Sequence, residues 1–176
     1  LLGTGKAMNF EPQWMSTTTC GDFPLMIAIT KGLYEGVITA SFGMAQPTGN
    51  VGGIEHINNP NHELMAKYKT EVYDAFAAAD ERWGYTFTTG IGLAEPLVEA
   101  IRRAGRDLTR EKLVAELEKM ENFQGLMGRI TYGPYDPDDP LCRIGQQEIF
   151  LQQCTADGGS KILTDWQTTE FIPMSQ

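Results

Sequence analysis

Apolar residues recur with two different periods along the chain, and the dominant period changes near residue 120. Before that point, short apolar runs alternate with stretches in which apolar residues recur every three or four positions. The first pattern predicts buried strands and the second predicts amphipathic helices. After it, "GRITYG", "QQEIFLQQ" and "KILTDW" predict strands separated by the turn formers "PYDPDDP" and "TADGGS". The whole order predicts an α/β fold, with a sheet covered by helices.

The first part of the chain predicts two strands and two helices. "EPQWMST" and "GVITASF" have the length and composition of strands. The run between them, "DFPLMIAITKGLYEG", predicts a helix that ends at Gly32 and Gly36. Further along, "NHELMAKYKTEVYDAFAAADERW" predicts a long helix that begins after the N-cap Asn61. Its expected apolar stripe consists of Met65, Tyr68, Val72 and Phe76.

Two more helices follow. "YTFTTGIGLAEPLVEAIRRAG" predicts a helix that ends at Gly105, and Pro96 within it predicts either a later start or a kink. "DLTREKLVAELEKM" predicts a helix with Thr109 as N-cap and Glu111 in the electropositive first turn.

Composition and charge narrow the class of protein. The 176 residues suit one domain or parts of two, and 41% hydrophobic residues are enough for a core. Because 23 Asp and Glu oppose 14 Lys and Arg, the net charge of −9 disfavours nucleic-acid or anionic-membrane partners. No apolar run reaches the roughly 20 residues that cross a bilayer. We interpret "LLGTGKAMNF" as the end of a helix whose earlier turns are absent, and so expect a piece of a longer protein.

The polar end of the first strand, "STTTC", is the first candidate site. Hydroxyls here either satisfy their own turn or face a ligand, because open α/β sheets bind ligands at the carboxyl ends of their strands. The residue types leave these alternatives open. Cys20 beside Asp22 could also be a nucleophile, but no histidine lies at a diagnostic spacing and a small buried cysteine is more usual there.

A second candidate is the loop "EHINNPNHE". It brings together four residues of metal-binding type: Glu55, His56, His62 and Glu63. Histidines in a loop rich in Gly, Asn and Pro are usually solvated, so we expect no metal site here.

The order of four segments carries a resemblance to a known family. "AMNFEPQWMSTTTC", "GLYEGVITASFG", "YTFTTGIGLAEPLVEAIRRAG" and "FQGLMGRITYG" together resemble type I periplasmic solute-binding proteins, especially the branched-chain amino-acid (leucine/isoleucine/valine) receptors of ABC importers. The resemblance covers nearly all of the chain but only the C-terminal half of the family's length. It implies a partial Venus-flytrap fold. By that likeness residues 1–80 belong to the C-terminal lobe, 81–158 to the N-terminal lobe, and 159–176 return to the C-terminal lobe.

The resemblance also implies binding residues. Thr18 matches the position where amino-acid receptors of this family carry a carboxylate for the ligand's ammonium group, and Tyr85 matches an aromatic residue that covers the ligand side chain. Thr17, Thr19 and Cys20 are further candidates to reach the cleft.

The threonine is a departure from the family pattern. A buried ammonium without a carboxylate costs several kcal/mol, whereas a neutral hydrogen bond contributes only about 1 kcal/mol. Either Asp22 supplies the charge, or the ligand has no ammonium. We expect the second: an amide, a carboxylic acid or an aromatic acid. Trp14 and Phe87 are expected to pack inside their lobes.

The implied function is that of a receptor without enzymatic activity or cofactor. It would lie in the periplasm or outside the cell, as a free or lipid-anchored protein, and deliver a small ligand to an ABC permease. A sensor domain of the same fold in a signalling protein is the alternative, and an enzyme that uses Cys20 is a third class. The resemblance also implies that the first strands of each lobe are absent. Either a second copy, by self-association of this chain, or the remainder of the protein would complete them.

Overall fold

The computed structural model describes residues 1–42, 62–139 and 141–168. Within them the helices are α1 (Leu2–Ala7), α2 (Phe23–Thr30), α3 (Glu63–Tyr68), α4 (Asp74–Phe76), α5 (Tyr85–Ala104) and α6 (Arg110–Glu118). The strands are β1 (Met15–Ser16), β2 (Ile38–Ser41), β3 (Phe123–Gly125), β4 (Gly128–Ile130), β5 (Glu148–Cys154), β6 (Ser160–Ile162) and β7 (Gln167–Thr168). No helix among these residues has the length and hydropathy of a membrane span.

The main sheet has the strand order β1-β2-β5-β6, with β7 paired to the start of β5. β1 and β2 are parallel, whereas β5 runs antiparallel to β2 and to β6. β3 and β4 form a separate antiparallel hairpin. The strands expected at both ends of the chain are confirmed, as is the α/β class. β3 and β7 are additions, since neither has a distinctive apolar run.

Helix α2 is built as its sequence indicates. Asp22 is the N-cap and its carboxylate accepts a hydrogen bond from the Leu25 amide at 3.1 Å. The helix ends in a left-handed residue, Lys31, followed by Gly32 at φ 87°. Phe23 is fully buried and packs with the other core residues of this region, which are Tyr34, Val37 and Cys154.

The long helix expected after Asn61 is shorter and interrupted. Asn61 lies outside the described residues, and His62 is the N-cap of α3. A π-helical segment, Lys69–Tyr73, separates α3 from α4, and the helix ends at Phe76. Beyond it, the Glu81 carboxylate accepts a hydrogen bond from the Ala78 amide at 2.9 Å, which stabilises a turn instead of a helix. The prediction for Phe76 is wrong, because its side chain is 81% exposed.

Helix α5 runs without interruption from Tyr85 through Pro96 to Ala104, so the later start predicted from the proline is wrong. Gly105, at φ 75°, ends it as expected. α5 packs against α6 and β3. At α6 the predicted N-cap is confirmed, because the Thr109 hydroxyl accepts a hydrogen bond from the Lys112 amide at 3.2 Å.

The expected division into lobes at residues 80 and 158 stays a prediction. One pairing bears on its second boundary: β5 lies before residue 158, yet it pairs with β2 over four residues, from Ile38↔Gln153 to Ser41↔Phe150. β5 therefore shares a sheet with the strands of segment 1–80.

Candidate functional site

A cleft of about 950 Å³ lies between the start of α2 and the start of α5. The residues of α2 and its cap that line it are Asp22, Pro24, Leu25 and Ala28. The opposite wall consists of Glu81, Arg82, Trp83, Gly84, Tyr85, Thr86, Phe87, Gly90, Ile91 and Ala94. Both helices contribute residues of their first turns to the cleft. At the start of α2 the backbone amides are already paired, because the Phe23 amide donates to the Gly21 carbonyl and the Leu25 amide donates to Asp22.

The α5 wall is aromatic. Phe87 packs edge-on against Tyr73 with ring centroids 5.1 Å apart, and it contacts Trp83 at 5.9 Å. The expectation that Phe87 packs inside its lobe is therefore met only in part, because the side chain also lines the cleft. Trp14 does pack in the core region around Phe23. The wall offers an apolar, planar surface to a ligand.

Tyr85 links the α5 wall to the turn that precedes α2. Its hydroxyl donates a hydrogen bond to the main-chain carbonyl of Thr18 at 2.7 Å. Burial raises the pKa of Tyr85 to about 12, and the neighbouring Asp22 carboxylate and Cys20 thiol add to the shift. The phenol therefore stays protonated at neutral pH and remains a hydrogen-bond donor.

The Thr18 hydroxyl is turned away from the cleft. Its side chain is buried and donates a hydrogen bond to the Ala40 carbonyl, and Thr18 is not among the lining residues. The hydroxyls of Thr17 and Thr19 are 2.8 Å apart and exposed, so they satisfy each other at the turn. The structure thus brings Thr18 and Tyr85 together through the backbone of Thr18, not through its side chain.

Cys20 is a free, half-buried thiol that packs against the core cluster around Phe23 and Tyr34. Its carbonyl accepts a hydrogen bond from the Tyr34 hydroxyl at 3.2 Å. These contacts are those of a packed structural cysteine.

Charged groups of both signs border the cleft. Asp22 lies on the α2 wall, and Glu81 and Arg82 lie on the other. Among the residues that the structure describes, Arg82 forms no ion pair. Asp22 is a candidate from its sequence context, whereas Arg82 and Trp83 are not, because nothing in "ERWG" distinguishes a cleft wall from an ordinary solvated turn.

The loop considered for metal binding is described only at its end. Glu55 and His56 lie outside the described residues, while the His62 Nδ1 accepts a hydrogen bond from the Leu64 amide at 3.2 Å. In the parts of the chain that are described, no three His, Cys, Asp or Glu side chains cluster as metal ligands.

Neither a protein-family model nor a curated protein sequence matches the chain. Several solved structures, in contrast, match nearly the whole chain. A substrate-binding periplasmic protein from Ralstonia solanacearum matches 92% of the chain with a TM-score of 0.67 and 20% identity. A leucine-binding protein from Thermotoga maritima MSB8 matches 93% with a TM-score of 0.59 and 18% identity. A type 1 periplasmic binding protein from Bordetella pertussis Tohama I matches 96% with a TM-score of 0.53 and 15% identity.

These comparisons define the fold: the chain has part of the type I periplasmic-binding-protein fold, as its sequence resemblance implied. It spans 41%, 39% and 42% of the length of those three proteins, respectively. This partial coverage agrees with the expectation that the chain corresponds to about half of such a protein.

Proposed function

We propose that this chain is part of an extracytoplasmic receptor that captures a small ligand and delivers it to an ABC permease. The observation that carries the proposal is the cleft between α2 and α5. Its volume of about 950 Å³ lies within the range of small-molecule sites, and its walls combine aromatic rings with a few charged groups. The fold and the descriptions of its structural neighbours, which include leucine-binding and periplasmic substrate-binding proteins, support the same function.

We propose that the receptor closes on its ligand through contacts of the ligand with both walls of the cleft. A ligand that touches α2 and α5 together stabilises the arrangement in which these helices face each other. The Tyr85 hydrogen bond to the Thr18 carbonyl already links the α5 wall to the turn before α2 in this arrangement. We therefore propose Tyr85 as the residue that covers the ligand, and the permease as the partner that recognises the closed form.

The proposed charge of the ligand follows from the position of Asp22. The sequence favoured a ligand without an ammonium group because Thr18 is neutral. The Thr18 hydroxyl, however, is engaged by Ala40, while the Asp22 carboxylate lines the cleft. This geometry supports the alternative, so we propose that an ammonium group pairs with Asp22 and that Arg82 receives a ligand carboxylate. An amino acid with an apolar side chain has this arrangement of groups. Thr17, Thr19 and Cys20 lie at the turn beside this cleft and remain secondary candidates.

The substitution Asp22→Ser separates charge from structure, because serine is also a good N-cap for α2. In the intact protein that contains this chain, we expect L-leucine to raise the melting temperature more than matched amides and carboxylic acids do. Asp22→Ser should abolish most of that shift while it changes the melting temperature of the ligand-free protein by little. The matched control Asp157→Ser removes a carboxylate from the turn before β6, where Asp157 accepts from the Gly159 amide at 3.1 Å, and should leave the leucine shift intact.

Two results would contradict parts of this proposal. If an amide or an aromatic acid gives the larger shift and Asp22→Ser has no effect, the ligand carries no ammonium, as the sequence suggested. If no solute of the panel shifts the melting temperature, the receptor function itself is wrong.

A further inference from the structure

Gln146 lies where two parts of the structure meet. The sheet part consists of α1, α2, β1, β2, β5 and β6, and the helical part consists of α3 to α6 with the β3–β4 hairpin. Gln146 forms an isolated antiparallel bridge with Ile130 of β4, and the Gly145 carbonyl accepts from the Thr131 amide at 2.9 Å. Two residues after Gln146, β5 begins and pairs with β2. One extended run of chain therefore pairs first with the helical part and then with the sheet part.

The Gln146 side chain bonds to backbone groups of both parts. Its Nε2 donates to the Met127 carbonyl at 2.9 Å, in the turn of the hairpin. The same nitrogen donates to the Phe42 carbonyl at 3.3 Å, directly after β2. Its Oε1 accepts from the Glu148 amide at 3.2 Å. Both amide hydrogens and the oxygen are therefore used on main-chain groups of three separate segments.

The surroundings hold this amide in place. Gly128, at φ 86°, approaches so closely that a Cβ there would lie 2.6 Å from the Gln146 Nε2 and 3.0 Å from the Trp166 ring. Trp166 in turn packs edge-on against Phe150 of β5, with ring centroids 4.9 Å apart. A glycine with φ in this region and without a side chain permits the close packing of the junction.

We infer that Gln146 is a positioning residue: it holds the sheet part and the helical part in the arrangement that forms the cleft. This inference rests on the proposed function. The two cleft walls belong to different parts, α2 to the sheet part and α5 to the helical part, so the junction geometry determines how closely they face each other. Gln146 itself does not line the cleft. Without its hydrogen bonds, a larger fraction of molecules opens, and the apparent affinity falls in proportion to the closed fraction.

The test compares Gln146→Ala with a matched control in the intact protein that contains this chain. Gln153→Ala is the control, because Gln153 lies on β5, which follows Gln146 directly, and its Nε2 donates to the Gly36 carbonyl at 3.0 Å, entirely within the sheet part. We expect Gln146→Ala to weaken L-leucine binding at least about fivefold by calorimetry and to increase the ligand-free radius of gyration by X-ray scattering. Gln153→Ala should change leucine affinity less than about twofold and leave the radius unchanged.

A second variant and a second measurement keep the test valid if Gln146→Ala does not fold. Gln146→Glu keeps the size and the acceptor oxygen but removes both donors. If Gln146→Ala does not fold, Gln146→Glu takes its place, and we expect it to show the same loss of affinity and the same increase in radius of gyration. Hydrogen exchange at the Glu148 amide reports whether the Oε1 bond is present. The inference is overturned if a folded Gln146 variant keeps the wild-type affinity and radius of gyration. A wild-type protein that binds neither leucine nor any other solute refutes the proposed function instead, and the radii of the two variants then decide the role of Gln146 alone.

Discussion

Glu95 places a buried carboxyl group in the middle of α5. Its side chain is only 6% exposed, and its Oε2 accepts a hydrogen bond from the Leu126 amide at 2.6 Å. Oε1 has no hydrogen-bond partner within the described structure. Burial raises the pKa of Glu95, and the Tyr68 hydroxyl, the Leu126 amide and the Lys67 charge oppose this rise only in part. The carboxylate attaches the β3–β4 turn to the helix but is costly to keep ionised.

The cost of burying the ionised Glu95 carboxylate predicts that the stability of the protein depends on pH. A folded-state pKa above the ordinary value of 4.5 means that the folded protein binds the proton more tightly than the unfolded chain does. The contribution of Glu95 to the free energy of unfolding therefore falls as pH rises from 4.5 through its folded pKa. In urea unfolding, we expect the wild type to lose stability relative to Glu95→Gln over this range.

Glu99 on the same helix is the control with the opposite sign. Hydrogen bonds from Arg102 and Arg103 lower its pKa to about 2, so its favourable contribution is present above 4.5 and is lost as pH falls toward 2. Wild type and Glu99→Gln should therefore converge at acidic pH. If the difference between wild type and Glu95→Gln does not change with pH, the assigned burial cost of Glu95 is wrong.

Single residues show how far local sequence can be interpreted. Thr109 as N-cap and Gly105 as helix end were predictable, since each acts on backbone groups within a few residues. The direction of the Thr18 hydroxyl was not, because its acceptor, the Ala40 carbonyl, lies 22 residues away. The sequence made this turn a candidate site but could not show which of its groups face the cleft.

Helix α5 contains two glycines with opposite surroundings. Nothing lies within 4 Å of a Cβ built on Gly90. A Cβ on Gly92 would lie 2.6 Å from the Met127 Cγ and 3.4 Å from the Leu126 Cβ. At Gly92, α5 therefore packs directly against the side chains of the hairpin turn.

We expect alanine substitutions at Gly90 and Gly92 to change the free energy of unfolding in opposite directions. Gly90→Ala should stabilise the protein by about 0.5–1 kcal/mol, because alanine loses less backbone entropy in a helix. Gly92→Ala gains the same term but must displace the Met127 side chain, an overpacking cost of about 1–3 kcal/mol, so we expect a net loss of stability. Urea unfolding measures both. Equal stabilisation by the two substitutions would show that α5 and the hairpin are not closely packed at Gly92.

The elements also show where periodicity is insufficient. The apolar spacing predicted α2, although the helix ends at Thr30, and the cap and end signals predicted α5 and α6. It overestimated the helix after Asn61, because "AFAAADE" has good helix propensity while the turn around Glu81 depends on side-chain hydrogen bonds such as that from the Tyr73 hydroxyl to the Glu81 carbonyl at 2.9 Å. β3 and β7 escaped detection because neither "FQG" nor "QT" lies in a distinctive apolar run, unlike the equally short β1, β4 and β6.

One face of α5 is apolar and uncovered. Leu93 is 65% exposed, Val98 61%, Leu97 48% and Ile101 41%. The opposite face packs on α6 and the hairpin, so the helix has the composition of one that is covered on both sides. Exposed apolar surface of this kind favours association.

We therefore expect the isolated 176-residue chain to self-associate through this face. Sedimentation velocity should show species larger than the monomer, and Leu93→Lys combined with Leu97→Lys should shift the distribution toward the monomer. Leu108→Lys, at a position that is 45% exposed but outside α5, should not. A monomeric wild-type chain at high micromolar concentration would refute the prediction.

Local sequence was sufficient for the α/β class, the main strands and the helix ends at Thr109 and Gly105, because each depends on backbone groups and apolar spacing within a few residues. The order of its motifs was sufficient for the type I fold. Only the tertiary structure decided what lines the cleft, which groups of the "STTTC" turn face away from it, and where the two parts are joined. Those features depend on residues far apart in the chain: Tyr85 and Thr18 are separated by 67 positions, and Gln146 and Phe42 by 104. No periodicity encodes such pairs, since they form only when the elements pack together.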